Sequence, residues 1–146
     1  IKVGVQNKDF DSATRSDFDS SSWAAGVTWS PLTYSLFEFA TNRRPTETNG
    51  TGNFNDRRDY GVAWTHNWTS FWRSRLSALY AQDVYRGNND VSLREDDVQE
   101  YGINVTYQMR RWLNLSLGYT TAERDSDDKA FDYRRNIYLF TAGASL

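Results

Sequence analysis

The chain has 146 residues, a length that suits one domain spanning residues 1–146. Its 17 basic and 19 acidic residues give a formal net charge of −2, so no nucleic-acid partner is indicated, because that requires clustered basic charge. Aromatic residues make up 16% of the chain and all apolar residues only 38%. No apolar run approaches the roughly 18 residues of a membrane-spanning helix. The absence of cysteine excludes disulfides and thiolate metal sites.

Period-two alternation of large and small side chains predicts eight strands along the chain. A recurring unit, a glycine with larger apolar residues at −1, +1 and +3, marks four of them at Gly26, Gly61, Gly102 and Gly143. The connections alternate between short turns and long loops at about 9–21, 44–57, 87–97 and 122–132, which is typical of an antiparallel up-and-down arrangement. The predicted strands cover about 1–8, 22–30, 33–43, 58–68, 73–86, 98–109, 112–121 and 133–146.

The alternation divides the strands into two faces. One face carries large apolar residues and the other carries small polar residues. The first set, predicted to face lipid, is Trp64, Trp68, Tyr101, Ile103, Val105, Tyr107, Leu113, Leu115 and Leu117. The second set, predicted to face a lumen, is Gly61, Thr65, Gly102, Asn104, Thr106, Gln108, Asn114 and Ser116.

Charge placement indicates which face meets which environment. The four cleanest segments, 23–30, 60–68, 101–109 and 113–120, contain no charged residue, whereas a water-facing surface is usually about 25–35% charged. Small uncharged residues suit the interior of a narrow barrel, and rings at the strand ends suit interfacial girdles. We therefore predict an all-β, antiparallel up-and-down transmembrane β-barrel in a bacterial outer membrane. A soluble lipocalin-like barrel that binds an apolar ligand inside is the alternative.

The acidic residues predict the orientation of such a barrel. All but Glu38 of the 19 lie in or next to the long loops. Outer-membrane barrels have short periplasmic turns and long extracellular loops, so the long loops are predicted to be extracellular and both termini periplasmic. The predicted partners are outer-membrane lipid and lipopolysaccharide.

Three stretches carry a resemblance to a known family: 29–35 (WSPLTYS), 105–119 (VTYQMRRWLNLSLGY) and 131–138 (FDYRRNIY). They resemble the outer-membrane β-barrel proteins of exopolysaccharide-biosynthesis operons, the family of putative β-barrel porins, and match the C-terminal portion of its longer members. The resemblance implies a structural or export-associated role for surface polysaccharide and supplies no catalytic residue. Because a closed eight-stranded barrel is filled by side chains, polymer export would need more strands, from a longer chain or from pairing between chains in a homo-oligomer. For these 146 residues the preferred arrangement is closure within the chain, by pairing of 1–8 with 133–146.

Few residues suggest chemistry, and neither an enzymatic activity nor a cofactor is predicted. His66 is the single histidine and is expected in the interfacial girdle. The acidic run with Asp125, Asp127 and Asp128 lacks calcium-loop spacing, so these residues are only weak candidates for loop cation binding, by which divalent ions would bridge to lipopolysaccharide phosphates. Glu38, in mid-strand, is expected to face the lumen and to pair with Arg73 or Arg75.

Overall fold

The computed structural model describes residues 2–8, 18–47, 54–87 and 92–145, and it is a single antiparallel sheet. Each strand pairs with the next one in the chain, from β1 to β8. The prediction of an all-β up-and-down sheet is therefore confirmed. The strands are β1 Lys2–Lys8, β2 Phe18–Leu32, β3 Ser35–Glu47, β4 Phe54–Asn67, β5 Trp72–Arg86, β6 Ser92–Arg110, β7 Leu113–Ser126 and β8 Tyr133–Ala144, with one 3₁₀ turn at Lys129–Phe131.

The strands extend further toward the long connections than predicted. The predicted loop residues that continue strands β2, β3, β4, β6 and β7 are 18–21, 44–47, 54–57, 92–97 and 122–126. The physical reason in the last four of these segments is that their charged residues satisfy one another across neighbouring strands, so the ladder continues where the apolar alternation has stopped. Of the first long loop, 9–17 lie outside the described residues, as do 48–53 and 88–91 of the second and third.

The predicted closed eight-stranded barrel is not what the structure shows. Seven long strands, β2–β8, have 12 to 19 residues, and β1 has seven. Within the described residues β1 pairs with β2 and β8 with β7, and the two edges do not meet. The preferred closure of 1–8 on 133–146 is therefore wrong for this part of the chain. The strand patterns of 1–8 and 133–146 determine which face each side chain takes but not which strand lies beside it, so they could not establish this pairing.

The strand register keeps the two predicted faces separate from strand to strand. Gly102 lies opposite Ser77 on β5 and Thr120 on β7, whereas Val105 lies opposite Ser74 and Leu117. We call the face that includes Gly61, Thr65, Gly102, Asn104, Thr106, Gln108, Asn114 and Ser116 the inner face. The outer face includes Trp64, Tyr101, Ile103, Val105, Tyr107, Leu113, Leu115 and Leu117.

The two faces differ in burial as well as in composition. Large side chains on the outer face are open, with Leu117 65% and Phe140 64% exposed. On the inner face Ala63, Ala81 and Ala122 are buried, whereas Ile137 and Leu139 on β8 are 42% and 59% exposed. The contrast in burial between the faces is therefore found on β4, β5 and β7 and not on β8. No helix in the described ranges is long and apolar enough to cross a membrane.

Candidate functional site

The inner face holds a buried charge network at its long-loop end. Asp83 on β5 lies directly opposite Asp96 on β6, and the two residues are 1% and 0% exposed. Asp83 accepts hydrogen bonds from Asn55 Nδ2 at 2.9 Å and from Arg57 Nη1 at 3.0 Å. The Asp83 carboxylate is thus neutralised by residues of β4, which lies on the opposite side of β5 from Asp96.

Asp96 is neutralised from its own strand and from β7. Its Oδ1 accepts a hydrogen bond from the Ser126 hydroxyl and lies 3.0 Å from Arg94 Nε. That nitrogen is not aligned as a hydrogen-bond donor, so the contact is an ion pair. Arg124 Nη1 lies 3.6 Å from Asp96 Oδ2. Buried charges require such partners, because an unpaired one is costly to desolvate.

Aromatic rings cover the arginines of this network. The Arg94 guanidinium lies between the rings of Tyr85, at 3.8 Å, and Phe131, at 3.9 Å. Arg124 lies 5.3 Å from the centre of the Tyr133 ring. These distances are typical of cation–π contacts. Phe131 belongs to the β7–β8 connection, so this connection bends over Arg94 at the end of the inner face.

The β7–β8 connection is held in this position by its own hydrogen bonds. Ser126 N donates to Asp132 Oδ1 at 2.8 Å, and Asp127 N donates to the Glu95 carbonyl at 3.1 Å. Sequence reasoning predicted a solvated acidic loop here and missed the network. The sequence did contain a signal. Arg94 and Asp96 are spaced two residues apart, in step with Val98 and the other inner-face residues of β6, so the alternation places them on the inner face.

Glu38 and Arg75 form an ion pair midway along the inner face. Arg75 Nη1 also donates to Thr65 Oγ1 at 3.0 Å. The prediction that Glu38 faces the small-residue side and pairs with Arg75 is confirmed. Arg73, the other predicted partner, donates instead from Nε to Asn67 Oδ1 at 2.8 Å.

Three inner-face glycines are each overlain by a polar side chain of the preceding strand. A Cβ on Gly102 would lie 2.7 Å from Ser77 Oγ, and one on Gly143 would lie 2.8 Å from Asn114 Oδ1. At Gly118 the Asn104 amide nitrogen would be 3.2 Å away. The recurring glycine of the sequence therefore has a packing role at two of its four positions, Gly102 and Gly143.

At the short-turn end, the outer face carries a cluster of aromatic rings. Trp64 Nε1 donates to Ser35 Oγ, and Trp68 Nε1 donates to Ser74 Oγ, both at 2.8 Å. His66 lies between these two indoles, with ring centres 5.2 Å and 4.4 Å away. The two indoles have satisfied polar tips, as suits rings at a membrane interface, whereas His66 Nδ1 is buried without a hydrogen-bond partner. The girdle position of His66 stays a prediction.

Two of the three weak candidates for cation binding, Asp125 and Asp128, are engaged locally. Asp125 Oδ1 lies 2.7 Å from Lys129 Nζ, and Asp128 Oδ1 accepts a hydrogen bond from Ala130 N at 3.1 Å. The hydrogen bond from Lys129 lowers the pKa of the Asp125 carboxyl, and the same contact raises the pKa of the Lys129 ammonium. No group of three or more potential metal ligands lies within the described residues.

Comparison with known proteins gives one match. No curated protein and no solved structure is significantly similar to this chain. The family described as Putative beta-barrel porin 2 matches residues 1–144, and porin-like barrels are typically not enzymes. The antiparallel up-and-down sheet, its two distinct faces and this match over nearly the whole sequence show that the chain belongs to the Putative beta-barrel porin 2 family, which indicates an outer-membrane barrel.

Proposed function

We propose that this chain is a non-enzymatic outer-membrane barrel component whose outer face meets lipid and whose inner face lines a lumen. The observation that carries the proposal is the contrast between the two faces. Val27, Leu117 and Phe140 of the outer face are each more than 60% exposed. Contiguous apolar surface of this kind marks an interaction with lipid or protein. A lipocalin-like barrel would instead enclose its large apolar residues.

The open sheet favours a role within a larger barrel. Open strand edges are not tolerated in hydrocarbon, because each unsatisfied backbone group costs several kcal/mol. Within the described residues the outer edges of β1 and β8 have no partner strand. Further strands, from additional sequence or from other copies of the chain, would satisfy those edges and widen the lumen. The role proposed for this wider barrel is as anchor or export-associated component for surface polysaccharide.

The first experiment tests location and assembly together. Outer-membrane fractionation followed by detergent extraction should yield the protein in a particle whose mass, corrected for detergent, reports the number of chains. Recovery in a soluble fraction without detergent would contradict the membrane proposal. A single chain per particle would contradict assembly from several copies.

The second experiment tests orientation. The proposal places the β7–β8 connection outside the cell and the β4–β5 turn in the periplasm. Asp127 and Ser70 are both exposed, so Asp127→Cys and Ser70→Cys form a matched pair. An impermeant thiol reagent on intact cells should label the first variant only. Ser126 is unsuitable because it is 3% exposed and donates to Asp96. Labelling of Ser70→Cys alone would reverse the topology.

The polysaccharide role is tested by transport. Planar bilayers containing the purified full-length protein should show conductance that a soluble acidic or neutral oligosaccharide reduces from one side. Conductance without any block by saccharide would remove the polysaccharide part of the proposal and leave the barrel itself intact.

A further inference from the structure

The outer face contains an apolar groove across β2–β6. Its volume is about 490 Å³, which is within the range of small-molecule sites. Small side chains leave the space open at Ala25, Thr41 and Ala78. Larger apolar and aromatic side chains border it, namely Val27, Phe39, Val62, Tyr60, Tyr80 and Tyr101. Such a groove is wide enough for hydrocarbon and offers little hydrogen bonding.

Charges of both signs lie at the long-loop end of this groove: two arginines on β3 and β4, and Asp97 on β6, which accepts a hydrogen bond from the Tyr80 hydroxyl at 2.7 Å. Thr41 and Tyr60, which line it, form a cross-strand pair, and the next outer-face pair toward the long loops is Arg43 and Arg58. The groove is thus continuous, along the same two strands, with two guanidinium groups.

The two arginines differ in how many of their hydrogen-bond donors are already engaged within the protein. Arg43 is saturated, because Nε and Nη2 contact Asp56 at 3.0 Å and 2.7 Å and Nη1 donates to Ser21 at 2.8 Å. Arg58 is 41% exposed, and its Nη2 is 3.8 Å from Asp56 Oδ2. No hydrogen bond from the Arg58 side chain is found in the described part of the chain. Arg43 and Arg58 share the single buried carboxylate of Asp56, so Arg58 can bind an additional anion.

We propose that this groove and Arg58 form a binding site for the lipid A portion of lipopolysaccharide. An acyl chain lies in the groove, and a phosphate of the headgroup accepts hydrogen bonds from Arg58. Arginine suits phosphate because its planar fork donates two parallel hydrogen bonds. The inference rests on the proposed function, because the groove must face lipid. It also rests on the proposed orientation, because the groove's long-loop end must lie at the outer leaflet, where lipid A is found.

The site is tested by binding of purified lipid A to the detergent-solubilised full-length protein. Arg58→Gln removes the phosphate ligand, and Ala78→Phe fills the groove while leaving Arg58 in place. The matched control is Arg134→Gln, because Arg134 also lies on the outer face but is already bound through Nη2 to both oxygens of Glu123, at 2.9 Å and 2.7 Å. Losing a charge-assisted hydrogen-bond pair should weaken binding about 10- to 100-fold in Arg58→Gln. Ala78→Phe should weaken it similarly, and Arg134→Gln should stay within about twofold.

The outcomes separate this inference from the proposed function. Unchanged affinity in Arg58→Gln or in Ala78→Phe would overturn the site, as would no binding to the wild type. Equal affinity for phosphatidylglycerol would overturn the choice of lipid A. Heat-modifiable migration in gels checks that each variant is folded, and Arg58→Lys, which keeps the charge without the fork, should give intermediate affinity if Arg58→Gln fails to fold. Fractionation without detergent, by contrast, tests only the membrane proposal.

Discussion

Asp83 and Asp96 lie directly opposite each other on β5 and β6, and neither is more than 1% exposed. Like charges facing each other across strands destabilise a sheet, but each of these carboxylates has its own cationic partner. Asp83 forms an ion pair with Arg57, and Asp96 forms ion pairs with Arg94 and Arg124. The long-loop end of the sheet therefore depends on ionic and aromatic contacts in place of an apolar core.

Removing one carboxylate of this network should be costly. Asp96→Ala leaves Arg94, whose side chain is 8% exposed, without its counter-ion. Breaking a buried ion pair from one side costs about 3–5 kcal/mol. Denaturant unfolding of the protein in detergent or lipid should show this loss in the free energy of unfolding. Asp127→Ala, in the exposed turn, is the control and should change little. Equal losses in the two variants would mean that the network does not stabilise the fold.

The Glu38–Arg75 pair should contribute much less. Its side chains are 41% and 46% exposed, and ion pairs at such positions contribute about 0–1 kcal/mol because water screens them. Glu38→Gln should therefore lower the free energy of unfolding by less than about 1 kcal/mol. The same unfolding assay measures this change. A loss of unfolding free energy comparable to that of Asp96→Ala would show that water screens the centre of the inner face much less than these exposed fractions indicate.

The glycines under polar side chains should accept alanine only if the overlying side chain moves. Gly102→Ala places a Cβ 2.7 Å from Ser77 Oγ, whereas Gly61→Ala meets nothing closer than 3.6 Å. Because the Ser77 hydroxyl can rotate away, the first variant should lose less than the cost of rigid overpacking, about 1–3 kcal/mol, and the second should lose nothing by overpacking. Ser77→Gly combined with Gly102→Ala should recover most of the loss. Failure of this rescue would point to backbone conformation as the reason for glycine.

The two faces should respond differently to an introduced arginine. Val105 is on the outer face and Thr141, opposite Ser116, is on the inner face at a similar level. Arg on the lipid face near the bilayer midplane costs about 2–4 kcal/mol, so Val105→Arg should reduce unfolding free energy and membrane insertion more than Thr141→Arg. Thr106 is a poorer control, because Arg73 lies directly opposite it and would repel the new charge. The reverse order would favour the soluble barrel.

The Asp125–Lys129 contact should make the β7–β8 turn sensitive to acid. Its hydrogen bond lowers the pKa of the Asp125 carboxyl below its unfolded value. The stabilisation is therefore present above the unfolded pKa and is lost as pH falls through the lower, folded pKa. Carboxyl carbon shifts in a pH titration by NMR should give that value directly. Lys129→Gln should return it toward the ordinary range, and an unchanged titration would show that the contact does not persist in solution.

The strand pattern and the two faces were predictable because they are local properties. The alternation from Tyr101 to Met109 and from Leu113 to Thr120 fixes which residues share a face, and the register follows from the short turns. The charged segments were not predictable by the same reasoning. Arg94 and Asp96 look like parts of a solvated loop and Asp83 like the end of the strand beside it, since their burial depends on partners contributed by other strands.

Closure of the barrel was not predictable for a related reason. Residues near the two ends of the chain carry acceptable strand patterns, but alternation states only which face a side chain takes. It contains no information about which distant strand an edge meets. In the described residues β1 pairs with β2 and β8 with β7, and the two edge strands are not paired with each other.

The overlain glycines also bear on how a solute would move along the inner face. Ser77, Asn104 and Asn114 lie over the backbone at Gly102, Gly118 and Gly143. In this position, the hydroxyl and amide groups lie close to the backbone of the inner face and project little from it. In the proposed lumen, a diffusing solute would meet a low, polar strip at these positions, bordered by the larger side chains of Arg75, Ile137 and Leu139. Larger residues at the glycines would raise the strip and narrow the proposed passage, so its width would depend on positions that have no side chain.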